Sequence, residues 1–332
     1  MGQTLCADAS ANSDRPIGLS DFDYDTVTDL LGKGQYGLVY SAKNTRDGSR
    51  VALKVMAKAK VDSMEALMEE VEILMHINHP HIIKCFDFFS DDDNYYLTSE
   101  IMGGGELFDR IVSRHHYTEA DARNLCLILI NTIAYLHDAD IVHRDLKPEN
   151  LLMMSNDDDA SVKIADFGFA RRLEGGTASE KCGTPGYVAP EVIKQEPYGV
   201  CADVWSLGVI IYIILCGYPP FHHAKMGTLF KLICRGQFKF YDEEWSSVSS
   251  EAKDLIKRML TVDTRQRITA RQALNHPWLQ MDEEELNKNG MKGTLAQLRR
   301  FNLKRKFRAA VHTAIVTGRL QRLVASLPSN QD

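Results

Sequence analysis

The stretch that decides the reading runs His143-Arg144-Asp145-Leu146-Lys147-Pro148-Glu149-Asn150, then Leu151-Leu152-Met153-Met154, an acidic turn at Asp157 to Asp159, and Val162-Lys163-Ile164-Ala165-Asp166-Phe167-Gly168. It sets an acid at 145, an amide at 150 and a second acid at 166. Two short apolar runs around a turn read as a hairpin, which returns the segment bearing Asn150 to the side of the segment ending in Asp166. An amide oxygen beside a carboxylate suits Mg²⁺, which takes hard oxygen ligands and leaves room for phosphate. Asp145 is then free to accept or orient the proton of an attacking hydroxyl. Any one of these residues alone would read as a stray charge on a solvated loop.

The 332 residues, 44% hydrophobic and 25% charged, suit one large domain split into two lobes, or two domains. The net charge of −6 hides an asymmetry. From Leu286 onward, ten Lys or Arg residues face Asp332 alone, giving +9 and leaving −15 on residues 1 to 285. A basic tail on an acidic body implies contact between the two or an acidic partner for the tail. Seven cysteines fall without CxxC or metal-like spacing, the usage of a reducing, cytoplasmic compartment. No apolar run reaches the roughly 18 residues that span a bilayer, so the chain reads as soluble or peripherally attached. Gly2 could be myristoylated and Cys6 could take a second acyl chain for membrane attachment, although Cys6 stands where the acceptor pattern has Ser or Thr. The remainder of segment 1–21 is small and polar and reads as disordered, with order beginning near Phe22.

Gly32, Gly34 and Gly37 lie between two strand-like runs, in Gly32-Lys33-Gly34-Gln35-Tyr36-Gly37-Leu38-Val39. Glycines in such a hairpin let backbone approach a polyphosphate. Strand on both sides, with Val39 trailing, favours this over a dinucleotide fingerprint, which would open a helix. Val51-Ala52-Leu53-Lys54 is a buried-strand pattern carrying one lysine. The helix expected from Met64 to Ile77 offers Glu69, Glu70 and Glu72; Glu70 shares a face with Leu74, one turn on, and the other two are left to solvent. Strands around Ile82 to Phe88 and Tyr95 to Ser99 complete a small sheet. Ser99 to Gly105 reads as a linker, with glycines for flexibility. From Glu106 to Asp140 the pattern is helical, with Leu125, Ile128, Leu129, Ile133 and Leu136 on one buried face.

Over roughly residues 24 to 279 these strings resemble the motifs of serine/threonine protein kinases. The resemblance implies an α+β bilobal fold: a small β-rich N-lobe (22–99), a large helical C-lobe (104–279) and a regulatory helix after it. It implies ATP and Mg²⁺. Gly32, Gly34, Gly37, Val39 and Ala52 would line the nucleotide, and the backbone of Glu100 and Met102 would bond the adenine edge, with the small Ser99 behind. Lys54, held by Glu70, would position the phosphates, and Asn150 and Asp166 would hold the metal. Asp145 would orient the substrate hydroxyl, Lys147 would neutralise charge in transit, and Thr184 would steady both. Glu191 would pair with Arg267. Glu180 stands where many kinases are phosphorylated, opposite Arg144, and its carboxylate gives part of a phosphate's charge; the alternative is an exposed acid with no role. A pseudokinase or scaffold would be signalled by loss of Lys54, Asp145, Asn150 or Asp166, and none is missing.

Gly104-Gly105-Glu106-Leu107-Phe108-Asp109 and Gly183 to Glu191 are similar to the calcium/calmodulin-dependent group, in which Glu106 and Glu149 would receive basic side chains of Arg-x-x-Ser/Thr substrates. In the tail, Leu303, Phe307, Val311, Ala314 and Ile315 form an apolar stripe, with Lys304, Arg305, Arg308 and His312 away from its centre. Basic amphipathic helices serve calmodulin, membrane surfaces, nucleic acid or plain packing. Phe307 and Leu320 stand about 20 Å apart along a helix, a span that suits the two lobes of calmodulin. Placed after such a domain, residues 286–325 resemble an autoinhibitory and Ca²⁺/calmodulin-binding segment, with no nucleic-acid role. Residues 286 to 303 are expected to lie across the large lobe and obstruct its site. No D-x-D-x-D-G loop occurs, so the calcium sensor would be a separate molecule or a part missing from this chain.

Overall fold

A computed structural model describes residues 5–6, 15–33, 37–155, 158–173, 175–287 and 291–325. The first lobe contains β1 (Leu5–Cys6), β2 (Phe22–Asp23), β3 (Leu30–Lys33), β4 (Gly37–Asn44), β5 (Arg50–Ala57), helix α1 (Met64–His76), β6 (Cys85–Ser90) and β7 (Asn94–Ser99). The strands form one antiparallel sheet in the order β1-β6-β7-β5-β4-β2, with β3 beside β4. Central β5 buries Val51, Ala52, Leu53 and Met56, as β-branched and aliphatic residues between two strands should. Ser63 caps α1 by accepting from Ala66 N–H at 3.1 Å. The buried face of α1 is Leu67, Val71, Ile73 and Leu74, with one acid among them, Glu70.

In the second lobe, α2 (Leu107–Ser113) and α3 (Glu119–Asp138) precede β8 (Ile141–Val142), the hairpin of β9 (Leu151–Met153) and β10 (Val162–Ile164), and β11 (Arg171–Arg172), which pairs with β8. Then come α4 (Pro190–Lys194), α5 (Cys201–Cys216), α6 (Met226–Cys234), α7 (Asp242–Trp245), α8 (Ser250–Met259), α9 (Ala270–Ala273), α10 (Pro277–Gln280), α11 (Glu283–Asn287) and α12 (Lys292–Ala325). Apolar on all sides, α5 is buried from Ala202 to Cys216 and forms the lobe's axis. The bidentate pair of Glu191 with Arg267 (2.7 and 2.9 Å) closes the core beneath it. Among the described residues, no helix is long and apolar enough to cross a membrane.

Four expectations are corrected. The helical pattern from Glu106 to Asp140 is two helices, because Thr118 and Asp121 form a capping box that starts α3 afresh: Thr118 N–H donates to Asp121 at 2.8 Å, and Asp121 N–H donates back at 3.2 Å. Ile82 lies before its strand, in an isolated bridge to Ile164. Order begins before Phe22, because the buried Asp21 is held by Arg15 and, at 2.7 Å, by Arg46, while Phe22 stacks on Phe89. The linker glycines serve close packing as well as bending. A Cβ on Gly104 would come within 2.6 Å of Ser155 O, and Gly104 N–H and Gly105 C=O bond Met153 at 2.9 and 2.8 Å.

After α10, α11 packs on α3, and α12 packs on α2 and α5 of the large lobe. Leu286, Met291, Leu295 and Leu298 join its core, and Thr294 donates to Leu215 C=O at 3.0 Å. α12 passes so close to the end of α5 that a Cβ on Gly217 would lie 2.4 Å from Gln297 Cβ.

Candidate active site

Register places the key groups. Ile164 faces Leu151 across the β9–β10 hairpin, and Ala165 N–H donates to Asn150 C=O at 2.9 Å. Asn150 and Asp166, immediately outside those positions, therefore emerge at the same end. Asn150 spends its amide N–H on Asp145 C=O at 2.8 Å, which leaves its side-chain oxygen as an acceptor. Asp166 occupies a left-handed conformation, φ 61°, costly for a non-glycine residue. Asp145 is buried; Thr184 Oγ1 donates to one of its oxygens at 2.7 Å and Lys147 closes on the other.

Lys54 comes from the opposite lobe. On β5 it lies between Val39 and Leu97, and its ammonium is 3.1 Å from Glu70 of α1. Burial pulls the Lys54 pKa down, but the negative charges of Glu70 and then Asp166 more than reverse this and hold it above the ordinary lysine value. The other Glu70 oxygen is buried and has no hydrogen-bond partner among the described residues.

Along the same strand, Ala52 lies opposite Ser99. The Glu100 carboxylate is 2.8 Å from Lys163 and accepts from Lys84 N–H at 2.6 Å, which locks the linker's entry; half-buried Met102 follows. Gly32 lies in β3, with open space at its Cα. In β4, Gly37 has a structural reason of its own: a Cβ there would overlap Val55 O. Gly34 and Gly2 lie outside the described residues, as does the side chain of Leu320.

Sequence reasoning missed what holds the loop that carries Asp145. Asp203 at the head of α5 is fully buried and accepts from His143 N–H at 2.8 Å, Arg144 N–H at 2.9 Å and the His137 ring at 3.2 Å. Arg144, at φ 68°, is thereby fixed in a strained turn immediately before Asp145. The available signal was a single acid opening an otherwise apolar helix, since a buried charge must be paired.

On the loop after β11, Glu180 lies 3.0 Å from Arg144 and also contacts Arg171. Burial pushes its pKa up; a local backbone hydrogen bond, then the charges of Arg144 and Arg171, reverse this to a net lowering. At the cleft's rim, Glu106 and Glu149 both receive Arg305 of α12, Glu149 at 2.9 Å, while Lys306 lies 2.5 Å from Asp109. Leu303 and Phe307 point outward, 72% and 71% exposed.

The family model for the protein kinase domain matches residues 26–279. The chain is 42% identical over 302 residues to calcium/calmodulin-dependent protein kinase type 1 of Macrobrachium nipponense, covering 90% of this chain and 87% of that one. The protein of the same name from Caenorhabditis elegans is 40% identical over 306 residues, 91% and 87% of the two chains. Myosin light chain kinase A of Dictyostelium discoideum is 44% identical over 252 residues, 75% and 85%. With a buried acid, an amide and a second acid gathered at one hairpin end and a paired lysine opposite, the chain belongs to the protein kinase family, as an ATP-using serine/threonine kinase similar to the type 1 calcium/calmodulin-dependent enzymes.

Proposed function

We propose that this kinase phosphorylates Ser or Thr in Arg-x-x-Ser/Thr segments, is restrained by its own α12, and is released when Ca²⁺/calmodulin takes that helix. Arg305 carries the reading: one guanidinium spans Glu106 and Glu149, the two carboxylates assigned to a substrate's basic residue. Arginine matches paired carboxylates in charge and in fork geometry. The tail thus occupies with its own cation the place a substrate cation needs. Leu286, Met291, Leu295 and Leu298 belong to the packed stem, and the obstruction proposed here falls at Arg305 and Lys306, slightly beyond the stretch the sequence pointed to. Calmodulin is supported by the outward Leu303 and Phe307 on a basic helix and by the names of the relatives.

In the reaction, Lys54 orients the α and β phosphates of ATP, and Asp145 aligns the substrate hydroxyl for in-line attack and takes its proton as the bond from the γ phosphorus to the bridging oxygen breaks. Lys147 offsets charge on the group in transit. Asn150 and Asp166 fit Mg²⁺: they are a free amide oxygen and a carboxylate. Among the described residues, no cluster of three or more His, Cys, Asp or Glu could hold a metal alone, so the remaining ligands would be phosphate and water. When bound, the ion neutralises phosphate charge. Glu180 orders its loop through Arg144 without a phosphate.

The test uses the full chain on an Arg-x-x-Ser peptide and its Arg→Ala counterpart, with and without Ca²⁺/calmodulin. Calmodulin should raise activity at least tenfold on the arginine peptide. Arg305→Glu should be active without calmodulin. No arginine preference, or an Arg305→Glu variant as quiet as the parent, would sink the proposal.

A further inference from the structure

Between α2, α3 and the turn joining β9 to β10 lies a cavity of about 250 Å³, to which no residue assigned above to nucleotide, metal or peptide contributes. Much of its wall is apolar: Leu107 and Ile111 from α2, Leu125 and Ile128 from α3, and Ala160 from the turn. The rest of the lining is polar and sets two guanidiniums, Arg110 and Arg114, against one carboxylate, Asp121. Asp121 is already engaged. Arg114 donates to one of its oxygens at 2.9 Å, and the N–H and hydroxyl of Thr118 donate to the other at 2.8 and 2.9 Å. Tyr117, also in the lining, is 2% exposed, and its hydroxyl has no hydrogen-bond partner among the described residues. Burial, then Cys126 and Asp121, hold the Tyr117 pKa well above the ordinary tyrosine value, with Arg114 acting the other way. The phenol therefore stays a neutral O–H donor in need of an acceptor.

We infer that this cavity binds a small aromatic carboxylate: the ring lies among the aliphatic side chains, and the carboxylate accepts from the Tyr117 hydroxyl with the Arg114 guanidinium alongside. Water is a poor occupant. At roughly 30 Å³ each, about eight molecules would be needed, each wanting two to four polar partners that aliphatic walls do not offer. A purely apolar ligand would leave the buried hydroxyl without an acceptor. A cation would meet two arginines. An anion on an apolar body satisfies the donor, the charge and the walls together, because guanidinium and O–H donors both favour a carboxylate. Sites for drug-sized ligands run to roughly 300–1,000 Å³, so the occupant is no larger than a fused bicyclic acid.

The experiment uses the full chain with its cleft saturated by a non-hydrolysable ATP analogue and Mg²⁺, so that binding there cannot be mistaken for binding here. 2-Naphthoate and its uncharged counterpart 2-naphthylmethanol are titrated by ligand-observed NMR. The acid should bind with a Kd on the order of 1 mM, typical for so few atoms, and at least about fivefold more tightly than the alcohol. Tyr117→Phe keeps the volume but removes the donor; it should weaken the acid at least about threefold and leave Tm no lower, since the lost hydroxyl had no partner. Ile128→Trp fills the cavity and should abolish binding with kcat and peptide KM unchanged. Where that variant fails to fold, Tyr117→Phe carries the test alone. No binding up to about 10 mM would leave water as the only occupant and overturn the inference. So would an alcohol that binds as well as the acid, full binding in a folded Ile128→Trp, or a fall in Tm on Tyr117→Phe, which would show the hydroxyl already paired.

Discussion

Asp203 supports the catalytic loop from below without reaching the chemistry. Burial alone would raise its pKa; the hydrogen bond and charge of His137, then His143, more than offset that and hold it below the ordinary 3.8. A carboxylate with a depressed folded pKa contributes stability above its unfolded value and loses it as pH falls through the folded one. Asp203→Asn should therefore cost about 1–3 kcal/mol at pH 7 by leaving buried N–H groups poorly paired, and lower kcat at least tenfold. The stability gap to the parent, from urea titrations, should narrow below pH 4; a gap constant down to pH 3 would remove the charge from the account. Asp145, Asn150 and Asp166 were legible because their spacing is local and one hairpin gathers them. Asp203 was not, because its partners lie 60 residues earlier and chain spacing carries no trace of them.

Helix α12 shows the same limit at the scale of an element. Its apolar period predicts one functional face through Leu303 and Phe307. A second face, Leu295, Leu298, Asn302 and Arg305, packs on the lobe, where Asn302 donates to Asp109 at 2.8 Å and Arg299 to Val112 C=O at 3.0 Å. Because that face ends in polar residues, a search for apolar stripes passes over it. Its seat depends on Gly217, which has φ 89° and no space for a Cβ against Gln297 and Leu298. Gly217→Ala should destabilise by about 1 kcal/mol from the backbone alone. By lifting α12 it should also raise calmodulin-independent activity severalfold in a peptide assay. A lower Tm with unchanged basal activity would mean that the helix stays down.

For the molecule as a whole, charge bookkeeping left two alternatives, a tail that meets its own body or one kept for an acidic partner. The structure shows the first, in Arg305 on Glu106 and Glu149 and Lys306 on Asp109. The bilobal plan was legible because its motifs are dense along 250 residues. The close seating of the linker on β9 was not, because glycine spells looseness and tight contact with the same letter. One consequence of the tail's posture concerns the order of events. With Leu303 and Phe307 facing water while Arg305 is engaged, the restraint proposed above would let an activator grasp the handle before the latch opens, rather than wait for spontaneous release. In stopped-flow mixing with labelled Ca²⁺/calmodulin, the encounter phase should quicken in proportion to calmodulin concentration, followed by a slower, concentration-independent unlatching that the Arg305→Glu variant abolishes; a single phase levelling off at an opening rate would reverse that sequence.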